Sequence, residues 1–72
     1  MNSVELRETL VNAMYNAYEN GTIKESKNMH PSYWLAVIDC IIKMYNNKPG
    51  YYEEDAIKTF EDFIKTGVLN WK

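Results

Sequence analysis

The stretch from Tyr33 to Tyr45, YWLAVIDCIIKMY, constrains the fold more than any other part of the chain. Only Asp39 and Lys43 in it are polar. At about 100° of rotation per residue, a helix through this stretch carries a narrow polar strip and an apolar arc of roughly 220°. A helix at a protein surface needs an apolar stripe of only ~100° or somewhat more. We therefore predict a central helix that several neighbours cover, or a helix whose spare face meets another molecule. The predicted polar strip comprises Ser32, Ala36, Asp39, Lys43 and Asn46.

Two further helices are predicted on either side of this one. We expect a single all-α domain over residues 1–72, with helices at about 3–20, 31–46 and 51–66 and an apolar tail at 68–72. Short connections favour antiparallel neighbours, so the simplest fold is an up-down-up three-helix bundle with the second helix at its centre. Thr22 and Glu25 have the spacing of a capping box, which favours a short extra helical turn in the first connection.

Local signals mark where the first two helices begin and end. Asn2 is a good N-cap with Glu5 three residues later, and Met1 is placed to pack on Leu6 as a hydrophobic staple. Gly21 supplies a left-handed stop after the first helix. Pro31 suits the first turn of the second helix, with the residue before it extended.

The third helix has equally clear boundary signals. The segment 46–50, NNKPG, has the composition of a tight turn, and three carboxylates at 53–55 favour the positive end of the helix dipole. Gly67 is the expected stop, and Val68 is placed to fold back on Phe63 in a Schellman motif. Arg7 and Glu53 interrupt apolar arcs near the helix N-termini, so we predict that they pair across the bundle. The alternative is that both extend into solvent at its open end.

Cofactors and membranes are not expected from this sequence. A chain with one histidine, His30, and one cysteine, Cys40, cannot form a closed metal site or an intramolecular disulfide, which fits a reducing compartment. The first ten residues lack the apolar core of a signal peptide, and no run approaches the ~20 apolar residues of a membrane span. We expect a cytoplasmic protein without a cofactor.

No residue pattern indicates catalysis, so we do not expect an enzyme. His30 lies in a polar connection with no acid or nucleophile spaced to work with it, and is interpreted as a surface histidine. Cys40 falls on the apolar side of the second helix and is expected to be a small buried hydrophobe; a reactive thiol would need an electropositive, partly exposed setting. The acidic third helix is expected to present a solvated face.

Nucleic-acid binding is the alternative function that the sequence leaves open. The chain has seven lysines, one arginine and a net charge of −2, and its cations are scattered along the sequence. Recognition of nucleic acid normally needs a basic patch. Lys24, Lys27 and Lys48 would form one only if their connections meet, and the acidic third helix could instead mimic phosphate.

Aromatic residues are the remaining functional signal. Six tyrosines and two tryptophans accompany only four leucines, and Tyr and Trp are enriched at interface hot spots. The sequence therefore predicts a non-enzymatic protein-interaction module, a small regulator or inhibitor that binds another protein or forms a homodimer. Its many Lys, Asn, Ile and Tyr residues suit AT-rich codons, which favours an AT-rich bacterium, a phage or another mobile element as its source. The predicted contacts are Tyr15 and Tyr18 on the first helix and, on the second, either Trp34, Ile41 and Tyr45 or the set Tyr33, Val37, Cys40 and Met44, whichever the core leaves uncovered.

Overall fold

Three helices make up the computed structural model, which describes residues 2–23 and 30–69. They are α1 (Ser3–Glu19), α2 (Pro31–Asn47) and α3 (Glu53–Thr66), and these ranges contain no strand. The observed ends lie within two residues of the predicted ones, so the all-α prediction is confirmed. The extra turn predicted in the first connection falls mostly outside the described residues.

Side-chain contacts establish the direction of each helix. Arg7, early in α1, pairs with Asp39 in the second half of α2, so these helices are antiparallel. Trp34, early in α2, packs edge-on against Phe63 near the end of α3, with ring centroids 4.9 Å apart. A shallow groove is lined by the second halves of both α1 and α3, which therefore run parallel. The bundle is up-down-up, as predicted.

The core forms around Trp34, which is 1% exposed and meets Phe60 as well as Phe63 through T-shaped ring contacts. Aromatic pairs in this arrangement are each worth about 0.5–1.5 kcal/mol beyond the area they bury. α2 buries only the middle of its wide apolar arc, through Trp34, Val37, Ile38 and Ile41. The five residues of the predicted polar strip are all exposed. The edges of the arc remain half-buried or exposed, so α2 is central but not fully wrapped.

The ends of α1 and the start of α2 follow their sequence signals. The Asn2 side chain accepts a hydrogen bond from the Glu5 backbone N–H at 2.9 Å, and the Glu5 carboxylate accepts one from the Asn2 N–H at 3.5 Å, so the predicted capping box is confirmed. Gly21 has a φ of 73°, the left-handed conformation expected after a helix. The backbone of His30 is extended, as predicted. Its Nδ1 accepts a hydrogen bond from the Ser32 backbone N–H at 3.2 Å. The lone histidine is thus the N-cap of α2. The predicted staple of Met1 lies outside the described residues.

The connection between α2 and α3 is a tight turn, as its composition predicted. The Tyr51 N–H donates to the Lys48 carbonyl at 3.2 Å, and Gly50 has a φ of 81°. A β-turn with Pro49 at its second position and a left-handed glycine at its third is type II. The Asp55 carboxylate then accepts from the Tyr52 N–H at 2.9 Å and fixes the start of α3 two residues later than predicted.

The end of α3 corrects one sequence prediction. Gly67 is left-handed with a φ of 75°, and its N–H donates to the Phe63 carbonyl at 2.8 Å. Val68, however, is 63% exposed, and its N–H donates to the Thr66 hydroxyl at 3.2 Å. In a Schellman motif the Val68 N–H would instead donate to a backbone carbonyl of the last helical turn. The predicted fold-back of Val68 is therefore wrong, and the helix ends in the simpler αL motif. Leu69 packs against the core in its place.

A second correction concerns the arginine of α1. Arg7 does not pair with Glu53; its Nε lies 2.9 Å from Oδ1 of Asp39 on α2. The helix rotation that buries Leu6 and Leu10 places Arg7 on the edge that faces α2, so the nearer carboxylate is on that helix. Both partners are largely exposed, at 45% and 61%, and an ion pair of this kind contributes little stability, about 0.2–1 kcal/mol.

Candidate protein-interaction surfaces

The core takes up one of the two predicted contact sets on α2. Trp34 is 1% exposed and Ile41 is fully buried, while Tyr45 is half-buried and packs against the core. Neither Trp34 nor Ile41 can reach a partner while the chain is folded. The role of these residues is to hold the bundle together.

The second set is largely at the surface, and we call Tyr33, Cys40 and Met44 the α2 flank. Tyr33 is 48% exposed, Cys40 is exposed and Met44 is half-buried, whereas Val37 at the inner edge is buried. The Tyr33 ring contacts the Phe63 ring with centroids 6.3 Å apart, so one side of it packs on α3 and the other faces solvent. A depression of about 340 Å³ lies beside Cys40 and Met44, where Lys43 and Asn47 complete its lining.

The exposure of Cys40 corrects the prediction that its thiol is buried. Three residues turn a helix through about 300°, so Cys40 lies about 60° round the helix from Val37, away from the core. Val37 is already at the edge of the buried face. The apolar arc read from the sequence was correct, but the core occupies less of it than predicted.

We expect iodoacetamide to label Cys40 completely in the native protein without denaturant, because the exposed side chain leaves its thiolate, the reacting nucleophile, open to the reagent. Mass spectrometry would measure the extent of labelling with time, and Cys40→Ser would give the background. Labelling that begins only when urea unfolds the chain would show that the thiol is covered.

A second apolar strip runs along α1, and we call Val4, Glu8, Val11, Tyr15 and Tyr18 the α1 seam. Their spacing alternates between four and three residues, which is the spacing of a coiled-coil contact strip. Val4 is 69% and Tyr15 56% exposed. Val11 and Tyr18 are half-buried and pack against the core. The buried side chains of α1 are Leu6, Leu10, Met14 and Ala17, which point to a different side of the helix.

The charge around the α1 seam is negative. Glu5, Glu8 and Glu19 are exposed along it, and Asn12 lies between them on the same side of the helix. Arg7 is the single cation of α1, and its guanidinium is engaged by Asp39. The sequence analysis named Tyr15 and Tyr18 as contact residues, and the structure places both on this side of α1, Tyr15 exposed and Tyr18 half-buried. Val4, Glu8 and Val11 were not among the predicted contacts.

Four polar side chains of the described residues, His30, Tyr51, Asp55 and Thr59, make hydrogen bonds at helix starts and in the core. His30 caps α2 and Asp55 caps α3. The Tyr51 hydroxyl donates to Oγ1 of Thr59 at 2.6 Å, and the Thr59 hydroxyl donates to the Asp55 carbonyl at 2.8 Å. Burial is the main cause of the raised pKa of Tyr51, and the negative charge of Asp55 adds to the rise. Among residues 2–23 and 30–69, no three His, Cys, Asp or Glu side chains are grouped so that they could hold a metal ion.

Cations do not gather on one surface of the described chain. Lys43 lies on the outer side of α2, Lys48 is in the following turn, and Lys58 and Lys65 are exposed on α3 among carboxylates. A basic patch of Lys48 with Lys24 and Lys27 would require their connections to meet, and Lys24 and Lys27 lie outside the described residues.

Comparisons with family models, curated proteins and solved structures found no match to this chain. In the part of the chain that the structure describes, none of the helices is both long enough and apolar enough to cross a bilayer. The two strips that the fold leaves at the surface are therefore the features from which a function can be inferred.

Proposed function

We propose that this chain is a non-enzymatic protein-interaction module, a small regulator or inhibitor that acts by binding another protein molecule, a partner or a second copy. One observation carries the proposal: after the three helices have packed, the side chains of the α1 seam and the α2 flank stay exposed or only half-buried. Single apolar residues are ordinary on any protein surface. Apolar residues aligned along a helix are typical of surfaces that meet another molecule.

The side chains on the two strips support the same function. Tyr15 and Tyr33 are both about half exposed, and each presents a flat ring with a polar hydroxyl. Tyrosine is enriched in interface cores because it buries a large area and still satisfies its hydroxyl. Met44 is flexible and polarisable, a property that suits adaptable binding surfaces.

The alternative, a nucleic-acid-binding or phosphate-mimicking protein, gains no specific support from the described residues. Phosphate contacts need Lys and Arg on one surface. The only arginine is paired, and the described lysines are spread over α2, the turn and α3.

The test is to measure molar mass by light scattering behind a sizing column, at several protein concentrations and at low and high salt. In parallel, proteins captured from a host lysate would be identified, purified and titrated against the chain. We expect a self-association or a defined complex that survives high salt in part, because burial of apolar area is not screened by ions.

Matched variants assign the binding to the strips. Val4→Ser with Tyr15→Ser removes the two most exposed apolar side chains of the α1 seam, and Tyr33→Ser with Met44→Ser removes the two largest side chains of the α2 flank. Tyr52→Ser is the control, because Tyr52 is 66% exposed but belongs to neither strip. At least one double variant should weaken binding about tenfold or more, which corresponds to about 1.4 kcal/mol. Binding that neither variant changes, or a strict monomer that forms no complex with any purified candidate, would refute the proposal.

A further inference from the structure

We propose that the α1 seam binds a cationic amphipathic helix of another protein, which packs beside the bundle as an added helix. This inference rests on the proposed function and names the class of partner. Its evidence is the spacing of the seam, its exposure and the sign of the charges along it.

The spacing fits a helical partner. Positions 4, 8, 11, 15 and 18 alternate in steps of four and three residues, so they stay in line as two helices wind around each other. From Val4 to Tyr18 the strip is about 21 Å long, at about 1.5 Å per residue, which matches about four turns of a partner helix. The half-buried Val11 and Tyr18 form the floor of the strip, and Val4 and Tyr15 project from it.

The charges indicate a cationic partner. Within the coiled-coil repeat, Glu5, Asn12 and Glu19 occupy the flanking positions that face the partner's own flanks, and all three are exposed. Glu8 is the one polar member of the seam. On the other flank Arg7 is paired with Asp39, so it does not offset these carboxylates. A helix with lysine or arginine on either side of an apolar stripe would complement this surface.

The same charges oppose a second copy at this site. In an antiparallel pair of α1 helices centred on Val11, Glu5 of each copy would lie near Glu19 of the other. In a parallel pair, the two copies of Glu8 would face each other within the seam. Like charges in these positions repel, so neither direction suits self-association through α1.

The test uses two synthetic helical peptides of about 18 residues, enough to cover the strip. Both carry the same apolar stripe; one has lysine and the other glutamate at the flanking positions, and each is confirmed to be monomeric at the concentration used. Fluorescence anisotropy with the full chain gives the affinities at low and high salt. We expect the lysine peptide to bind about tenfold or more tighter than the glutamate peptide at low salt, with the difference shrinking as salt screens the charges.

Charge reversal locates the preference on the seam. Glu8→Lys with Glu19→Lys should reverse it, so that the glutamate peptide binds more tightly. Both side chains are exposed, and Glu5 is left unchanged because it belongs to the capping box. The control is Glu54→Lys with Glu61→Lys, which makes the same change in net charge on exposed positions of α3 and should keep the preference for the lysine peptide.

Three outcomes would overturn the inference: equal affinities for the two peptides, no binding of either, or an equal loss of preference in the α3 control. Each is separable from the proposed function. A chain that self-associates and becomes monomeric with Val4→Ser and Tyr15→Ser would still be an interaction module, but its seam would take a second copy. A chain with no strip-dependent binding of any protein would lose both.

Discussion

Replacing Trp34 with alanine is expected to lower the free energy of unfolding by about 3–5 kcal/mol, the usual cost of removing a large buried aromatic side chain. Trp34 is 1% exposed and joins α2 to two phenylalanines of α3. A domain of 72 residues has a total stability of only about 4–11 kcal/mol. Urea unfolding followed by circular dichroism should therefore show a large fall in the midpoint, or a variant that is already partly unfolded in buffer.

The neighbouring residue provides the control for this change. Tyr33→Ala removes a ring of similar size that is 48% exposed and touches only the edge of the core at Phe63. Its cost should be clearly smaller than that of Trp34→Ala, because the one aromatic contact, worth about 0.5–1.5 kcal/mol, is added to the burial of only part of the ring. Equal losses from Trp34→Ala and Tyr33→Ala would mean that the core does not distinguish these adjacent positions, and the division of α2 into a buried face and an exposed flank would fail.

The helix ends were predictable because their signals are local. Asn2 and Glu5 are three residues apart, and the left-handed turns at Gly21, Gly50 and Gly67 depend on the chain within a few residues of each. A cap or turn of this kind forms in the same way whatever lies across the bundle. The three helices and their order follow from these signals together with the apolar periodicity.

The fold-back predicted for Val68 failed locally, because its N–H donates to the Thr66 hydroxyl. The errors at Cys40 and Arg7 share a different cause, which is the rotation of each helix about its own axis. The apolar arc of α2 is wider than two neighbours can cover, so the sequence allowed several orientations. The fit of Trp34 between Phe60 and Phe63 selects one of them, and that choice exposes Cys40. The rotation of α1 similarly turns Arg7 toward Asp39 instead of Glu53. These helix rotations depend on how distant segments pack against one another. The spacing of apolar residues within one helix does not determine that packing.

The candidate surfaces show the same division between what is local and what is not. Tyr15, Tyr18, Tyr33 and Met44 were identifiable as apolar residues in excess of a small core. Packing decided which of these residues stay at the surface. It buried Trp34 and Ile41 and left the α1 seam and the α2 flank exposed or half-buried.

The buried hydroxyl of Tyr51 is expected to contribute measurably to the stability of the fold. Tyr51 is 3% exposed and donates to Thr59, which in turn donates to the carbonyl of Asp55. Tyr51→Phe keeps the ring but removes the hydrogen bond that the buried Thr59 hydroxyl accepts from Tyr51. We expect a loss of about 1–2 kcal/mol at neutral pH, within the range for an unsatisfied buried polar group. Urea unfolding of Tyr51→Phe and the parent protein would measure it.

The pH dependence of stability should identify the same hydroxyl. Burial raises the pKa of Tyr51 above its ordinary value, so the folded chain keeps this proton in a range where the unfolded chain releases it. The stability gained from the neutral hydroxyl is complete below about pH 10, the pKa in the unfolded chain, and is lost as pH rises through the higher folded pKa. Unfolding free energies measured from pH 8 to about 11 should therefore fall less steeply for Tyr51→Phe than for the parent protein. An unchanged slope in Tyr51→Phe would contradict this assignment, because the loss of stability at high pH would then not come from the buried hydroxyl.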